Sequence, residues 1–136
     1  MRFETDKDRQ REEKAIQRFV NLFGGSYNKL GPHDIDYEVY DKLGRLMSFV
    51  EVKGRNKTLS QAFPLPLACR KIEKLRQKQL NPVIIWDCLD GYIYGKLKNI
   101  KGVERIGGRK PREGAANDVE WMTYYSDKSQ FTIIKH

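Results

Sequence analysis

The sequence has few cysteines and no long hydrophobic run, and each shortage excludes a class of protein. Cys69 and Cys88 lie far apart with no histidine beside either, so they predict neither a zinc site nor a disulfide framework. No apolar run reaches about 18 residues, so no transmembrane helix is predicted. The charged N-terminus lacks the hydrophobic stretch of a signal peptide. We therefore expect a cytoplasmic, intracellular protein without a membrane partner.

Acidic residues are scarce in the middle of the chain. Residues 42–112 carry 17 basic and 5 acidic side chains and are net +12, whereas residues 1–41 and 113–136 are each net −2. Such a concentration of positive charge is typical of a surface that binds a polyanion, most often nucleic acid. The competing interpretation is a solvated basic face with no partner, and charge alone does not decide between them. The length of 136 residues predicts a single domain over 1–136.

Hydrophobic periodicity predicts an α/β order of elements. Apolar residues recur at helical spacing over 6–23, and Glu12 continues their stripe. A second helix is predicted over 67–79 and a polar loop over 26–33. The Gly- and Arg-rich stretch 101–118 is predicted to be a basic loop. In the predicted strands, apolar residues either alternate with polar ones or run without interruption. These strands cover residues 35–39, 46–53, 83–88, 92–97 and 131–134, and residues 120–125 are predicted to be either a strand or a helix.

The segment Phe49–Arg55, Phe-Val-Glu-Val-Lys-Gly-Arg, contains the residues with the clearest chemistry. Glu51 and Lys53 are two apart, so a strand places them on one face, while Val50 and Val52 face the other way, into a core. Two further carboxylates, Asp34 and Asp36, lie on or just before the preceding strand. Carboxylates that converge near a lysine suit a divalent cation, a phosphate and an activated water.

This order of elements and motifs resembles the PD-(D/E)xK nuclease superfamily, which has the restriction-endonuclease-like fold. The resemblance covers roughly residues 9–97 and depends on element order and spacing more than on any one residue. It implies an αβββαβ-type core, with a central mixed sheet flanked by helices. It also implies that Glu51 and Lys53 are the second acidic residue and the lysine of the motif.

The same resemblance assigns the remaining candidate site residues. Asp36 fits the first acidic residue best, with Asp34 as a rival, and Glu12 matches the glutamate common on the first helix. Glu12 could equally be a helix-end carboxylate favoured by the helix dipole. Mg²⁺ is the implied cofactor, with Mn²⁺ as a substitute, and the backbone carbonyl of Val52 is a further candidate ligand. The cations expected to contact the nucleic-acid backbone are Arg55, Lys57, Lys71, Arg109, Lys110 and Arg112.

The sequence therefore predicts a Mg²⁺-dependent DNA endonuclease from a phage or DNA-repair setting. One domain leaves no room for a separate sequence-reading module, so we expect it to act on DNA structure, such as junctions, flaps or ends. RNA stays open as a target because a metal site can cut either backbone, and a homodimer stays open because cutting two strands needs two sites. The alternative function is a catalytically silent nucleic-acid-binding or assembly protein with the same fold.

Overall fold

The computed structural model describes residues 6–31, 35–107 and 120–136. Within these ranges the chain forms two α-helices and nine β-strands, together with three single turns of 3₁₀ helix. The helices are α1 (Asp6–Asn21) and α2 (Cys69–Arg76). The strands are β1 (Ser26–Lys29), β2 (Tyr37–Tyr40), β3 (Leu46–Gly54), β4 (Leu65–Ala68), β5 (Val83–Cys88), β6 (Gly91–Lys96), β7 (Val103–Gly107), β8 (Glu120–Tyr125) and β9 (Thr132–Lys135). No helix in the described part of the chain is long and apolar enough to cross a membrane.

Six of the strands form a central mixed sheet in the order β1-β2-β3-β5-β6-β9. Only β3 and β5 run parallel, and the other neighbours are antiparallel. Parallel neighbours need a crossover, and here the chain crosses through β4 and α2. The central sheet with its helices therefore confirms the predicted restriction-endonuclease-like α/β core, in which β1 to β3 are the strands between the two helices that belong to the central sheet.

The two faces of the central sheet are buried by different elements. On one face, α1 packs its apolar stripe, including Ala15, Ile16 and Val20, against the two valines of β3. On the other face, α2 and a second sheet of order β4-β8-β7 cover Phe49 and Trp86. Both faces of β3 are thus inside the protein, so Glu51 is a buried carboxylate and not one on an open surface.

Several predicted boundaries are wrong, each for a physical reason. β1 lies in the predicted loop 26–33, because a short polar edge strand has no hydrophobic alternation to reveal it. The predicted helix 67–79 begins later, at Cys69, because Leu65–Ala68 pairs with β8 as an edge strand. Pro66 is tolerated there since an edge strand needs fewer ladder donors. The predicted basic loop 101–118 begins with a strand, β7, and its residues 108–118 lie outside the described residues.

A hydrogen-bonded arginine fixes α1 to the ends of the parallel strands. The guanidinium of Arg11 donates to the Asp87 carboxylate at 2.7 Å and to the Asp87 carbonyl at 2.6 Å. It also donates to the side chain of Asn56 at 3.0 Å. Asp87 is only 5% exposed, and its burial raises its pKa while Arg11 opposes that rise. Because Asp87 has little access to water, it depends on Arg11 for its solvation.

We predict that Arg11→Met lowers the free energy of unfolding by about 1.5–3 kcal/mol, since it leaves a buried charged acceptor without its donor. Urea unfolding followed by circular dichroism measures this. The matched control is Arg45→Met, which removes a mostly exposed i,i+4 ion pair with Asp41 and should cost much less. Equal losses in the two variants would show that the Arg11 contacts do not anchor α1.

Candidate active site

The pairing of β2 with β3 brings the two predicted carboxylates together. Tyr37, the first residue of β2, pairs with Val50, so Asp36, which directly precedes β2, lies beside the Glu51–Val52 part of β3. The Asp36 carboxylate accepts a hydrogen bond from the backbone N–H of Val52 at 2.8 Å. The charge of Glu51 helps to raise the pKa of Asp36, so the two carboxylates are close enough to act on the same ligand.

Glu51 is a buried carboxylate that lies between two lysines. Glu51 as a whole is only 1% exposed. One oxygen, Oε2, lies 3.4 Å from the Nζ of Lys71 and 3.8 Å from the Nζ of Lys53. The other oxygen, Oε1, is buried and has no hydrogen-bond partner. A buried carboxylate oxygen without a partner is costly, so its position indicates a site prepared for a positively charged or hydrogen-donating ligand.

The same cluster of charges shifts the pKa of Asp36. Burial, followed by the charge of Glu51, raises the pKa of Asp36 to about 6 from its ordinary value of 3.8. The Val52 N–H and the two lysines oppose this rise. Two like charges held close together in a partly dry environment favour the uptake of a cation or a proton.

Glu12 lies beside this cluster but has partners of its own. Its carboxylate is 3.2 Å from the Nζ of Lys29 and also accepts a hydrogen bond from the hydroxyl of Tyr37. Burial, and next the charge of Asp36, raises the pKa of Glu12. Since α1 begins at Asp6, Glu12 lies beyond the first helical turn, where the helix dipole has little effect. Its closeness to Asp36 is consistent with the inward orientation predicted from the stripe.

The available ligands fit a cation that keeps much of its water. The described ranges contain no group of three or more His, Cys, Asp or Glu side chains that could hold an ion together. Asp36 and the unpartnered Glu51 Oε1 nevertheless offer two carboxylate groups. In a strand the carbonyl and N–H of one residue point toward the same neighbour, so the Val52 carbonyl projects toward the β2 side as well. Mg²⁺, which is bound through one or two carboxylates and several waters, suits such a set.

Comparison with known families is consistent with this geometry. The family model described as "Phage putative PDDEXK endonuclease" matches residues 1–134. The chain belongs to this phage PDDEXK endonuclease family. No match was found among curated proteins or among solved structures. The phage PDDEXK family is a nuclease family, so its substrate is a nucleic acid.

The other predicted contact residues of this phage PDDEXK protein differ in their surroundings. Lys71 lies in the cluster itself, 18% exposed, rather than on an outer helix face. Arg55 donates through Nε and Nη2 to the carbonyl of Ala62, at 3.1 and 2.9 Å, so its guanidinium holds the loop after β3. Lys57 is exposed. The predicted site residues Asp34, Arg109, Lys110 and Arg112 lie outside the described residues, as does His33.

We predict that Asp36→Asn stabilises the metal-free protein at pH 8 and that this gain disappears near pH 4. A carboxyl whose folded pKa is raised keeps its proton more readily in the folded state, so the parent loses stability as the pH rises from about 4 to 6. Asparagine retains an acceptor for the Val52 N–H and removes the charge. The expected gain is about 1–3 kcal/mol, measured by urea unfolding in EDTA.

The matched control is Asp41→Asn, which should change the free energy of unfolding at pH 8 in the opposite direction. Hydrogen bonds from Arg45 lower the pKa of Asp41, so its charged form stabilises the fold. That variant should be less stable than the parent at pH 8. A loss of stability in Asp36→Asn at pH 8 would contradict the like-charge repulsion inferred at the site.

Proposed function

We propose that this protein is a Mg²⁺-dependent DNA endonuclease that cuts phosphodiester bonds at DNA structures such as junctions, flaps or ends. The observation that carries the proposal is the Glu51 carboxylate, which has one buried oxygen near two lysines and the other without a partner. A carboxylate needed only for stability would be expected to use both oxygens. The family match supports the nuclease class.

The ion would be held by Asp36, Glu51 and the Val52 carbonyl, with Asp34 as a further candidate ligand. When bound, it lowers the pKa of a coordinated water and neutralises charge on the scissile phosphate, and Mn²⁺ is expected to substitute. Its charge would also relieve the repulsion between Asp36 and Glu51. Burial, and next that repulsion, raise the pKa of Asp36 to about 6 in the metal-free protein.

The two lysines have different positions and hence different proposed roles. Lys71 is the more buried, with 18% of its side chain exposed, and it holds the Glu51 carboxylate in place. Lys53 is 33% exposed and lies on the same face of β3, so it can reach both Glu51 and a phosphate arriving from solvent. We assign Lys53 to orienting or deprotonating the attacking water and to stabilising charge in the transition state. Glu12 would accept a hydrogen bond from a water at the edge of the site.

Charge distribution supports DNA as the substrate. The segment 42–112, which is net +12, contains β3 and α2, the two elements that carry Glu51, Lys53 and Lys71. Nothing in the described residues forms a second, sequence-reading module, which favours recognition of DNA shape. We place the activity in the infected bacterial cell and expect two copies to cooperate where both strands are cut.

We predict that Glu51→Gln and Lys53→Met each reduce cleavage at least about 100-fold, because each removes a group that acts on the reacting phosphate or water. The substrates are supercoiled plasmid and a 5′-flap oligonucleotide, each with Mg²⁺ and with Mn²⁺. Binding to the flap, measured with Ca²⁺, should stay within about threefold of the parent, because neither substitution removes the other basic side chains expected to contact the backbone.

Glu73→Gln is the matched control, since Glu73 is on α2 with its side chain 70% exposed, and it should cut like the parent. Thermal unfolding of each variant checks that it is folded. Parent-like cleavage by both Glu51→Gln and Lys53→Met would mean that the reaction occurs elsewhere. A parent that cuts neither substrate with either metal would favour the catalytically silent binding protein.

A further inference from the structure

A groove lies between the last turn of α2, the segment 97–104 and β8. Its volume is about 530 Å³, which is within the range of cavities that bind ligands in proteins. Ile72, Leu75, Leu97 and Ile100 line it and are all buried, so its floor is apolar. We call this cavity the α2 groove.

Basic side chains dominate the lining of the α2 groove above this floor. Four of its lining residues are Arg76, Lys78, Lys98 and Lys101, whereas Glu104 is the single acidic residue among the described residues that line it. Arg76, Lys98 and Lys101 are exposed. A cleft that combines charges of one sign with walls of low dielectric constant concentrates the electric field and attracts ions of the opposite sign. The groove is therefore suited to an anionic ligand that arrives from solvent.

The α2 groove adjoins the candidate active site along β3. Phe49, Glu51 and Lys53 alternate along this strand and so share its face toward α2. The Nζ of Lys78 lies 5.0 Å from the centre of the Phe49 ring, and the Nζ of Lys71 lies 3.4 Å from the Glu51 carboxylate. Phe49 and Glu51 are two residues apart, which is about 7 Å along a strand. A ligand in the groove is thus a close neighbour of one held at Glu51.

A chain of phosphates is the anion that fits both places at once. An acidic protein would be attracted to the groove, but the carboxylates of Asp36 and Glu51 would repel it at the candidate active site. A nucleic acid that is bound there through a cation repeats its negative charge at every nucleotide. Its next phosphates therefore have basic side chains within reach in the groove.

We propose that the α2 groove binds the DNA backbone on one side of the scissile phosphate, with Lys98 and Lys101 as contacts outside the candidate active site. This inference rests on the proposed function and adds the path that the substrate takes away from the reacting phosphate. Such contacts are independent of sequence, so they favour substrates by the length and direction of an arm.

The double variant Lys98→Gln/Lys101→Gln tests the proposal. Arg76 stays in place because Glu73, 3.5 Å away, already offsets part of its charge. In Ca²⁺ the variant should bind the 5′-flap oligonucleotide about 10-fold more weakly, and the slope of log affinity against log salt concentration should become shallower by about two, one for each lysine. At saturating DNA with Mg²⁺, its cleavage rate should stay within about twofold of the parent, because the catalytic groups are intact.

Shortened substrates test whether the two lysines contact the DNA directly. When the arms of the oligonucleotide are trimmed in turn, removal of one arm should weaken binding by the parent and abolish its advantage over the double variant. Removal of any other arm should leave that advantage unchanged. Lys98→Arg/Lys101→Arg should retain the parent's affinity, since arginine keeps the positive charge.

Lys7→Gln/Lys14→Gln is the matched control, because these lysines are exposed on α1, which covers the opposite face of the central sheet. It removes the same charge and should bind within about twofold of the parent. Thermal unfolding checks that each variant is folded.

Equal losses of affinity in the two glutamine variants would overturn the inference, since only overall charge would then matter. So would an advantage of the parent that survives the removal of each arm. Parent-like affinity in Lys98→Gln/Lys101→Gln would also overturn it, while cleavage by the parent would leave the proposed function standing. A parent that neither binds nor cuts DNA would remove the proposed function as well.

Discussion

The buried contact between Glu51 and two lysines is the constraint on which the candidate site depends. A carboxylate 1% exposed keeps its charge only where cations are close, and Lys53 and Lys71 lie 3.8 and 3.4 Å from one of its oxygens. These contacts leave the other oxygen, Oε1, buried and without a hydrogen-bond partner, while Asp36 lies close enough for its pKa to be raised by the Glu51 charge. The fold therefore places two carboxylates and two lysines at one point and leaves one carboxylate oxygen without a hydrogen-bond partner. That oxygen is the one that a divalent ion would engage.

The surrounding elements maintain this arrangement from separate directions. The β2–β3 register aligns Asp36 with Glu51, and the Val52 N–H fixes the Asp36 carboxylate. The second sheet and α2 exclude water from the Glu51 side, while α1 covers the opposite face of β3. Because each element contributes one part, the site exists only in the folded chain.

The sequence predicts the parts of this protein that depend on regular patterns. The stripe of α1, the β2–β3 hairpin and the shared face of Glu51 and Lys53 follow from periods of 3.6 and 2, and the structure confirms these geometries. β1 and β7 were not predicted, because polar or charged edge strands have no hydrophobic alternation. The closeness of Lys71 to Glu51 depends on how α2 packs, which no local spacing encodes. The catalytic roles of these residues stay predictions.

The most direct test of the shared cation is a crystal grown with Mn²⁺, with the metal located by anomalous scattering. We expect a peak within ligand distance of a carboxylate oxygen of Asp36 and of Glu51 Oε1, with waters completing its coordination. Glu51→Gln crystals in the same solution should show a weaker peak or none. A peak that touches neither carboxylate, or an ordered site in which Glu51 Oε1 is bonded to protein alone, would contradict the account.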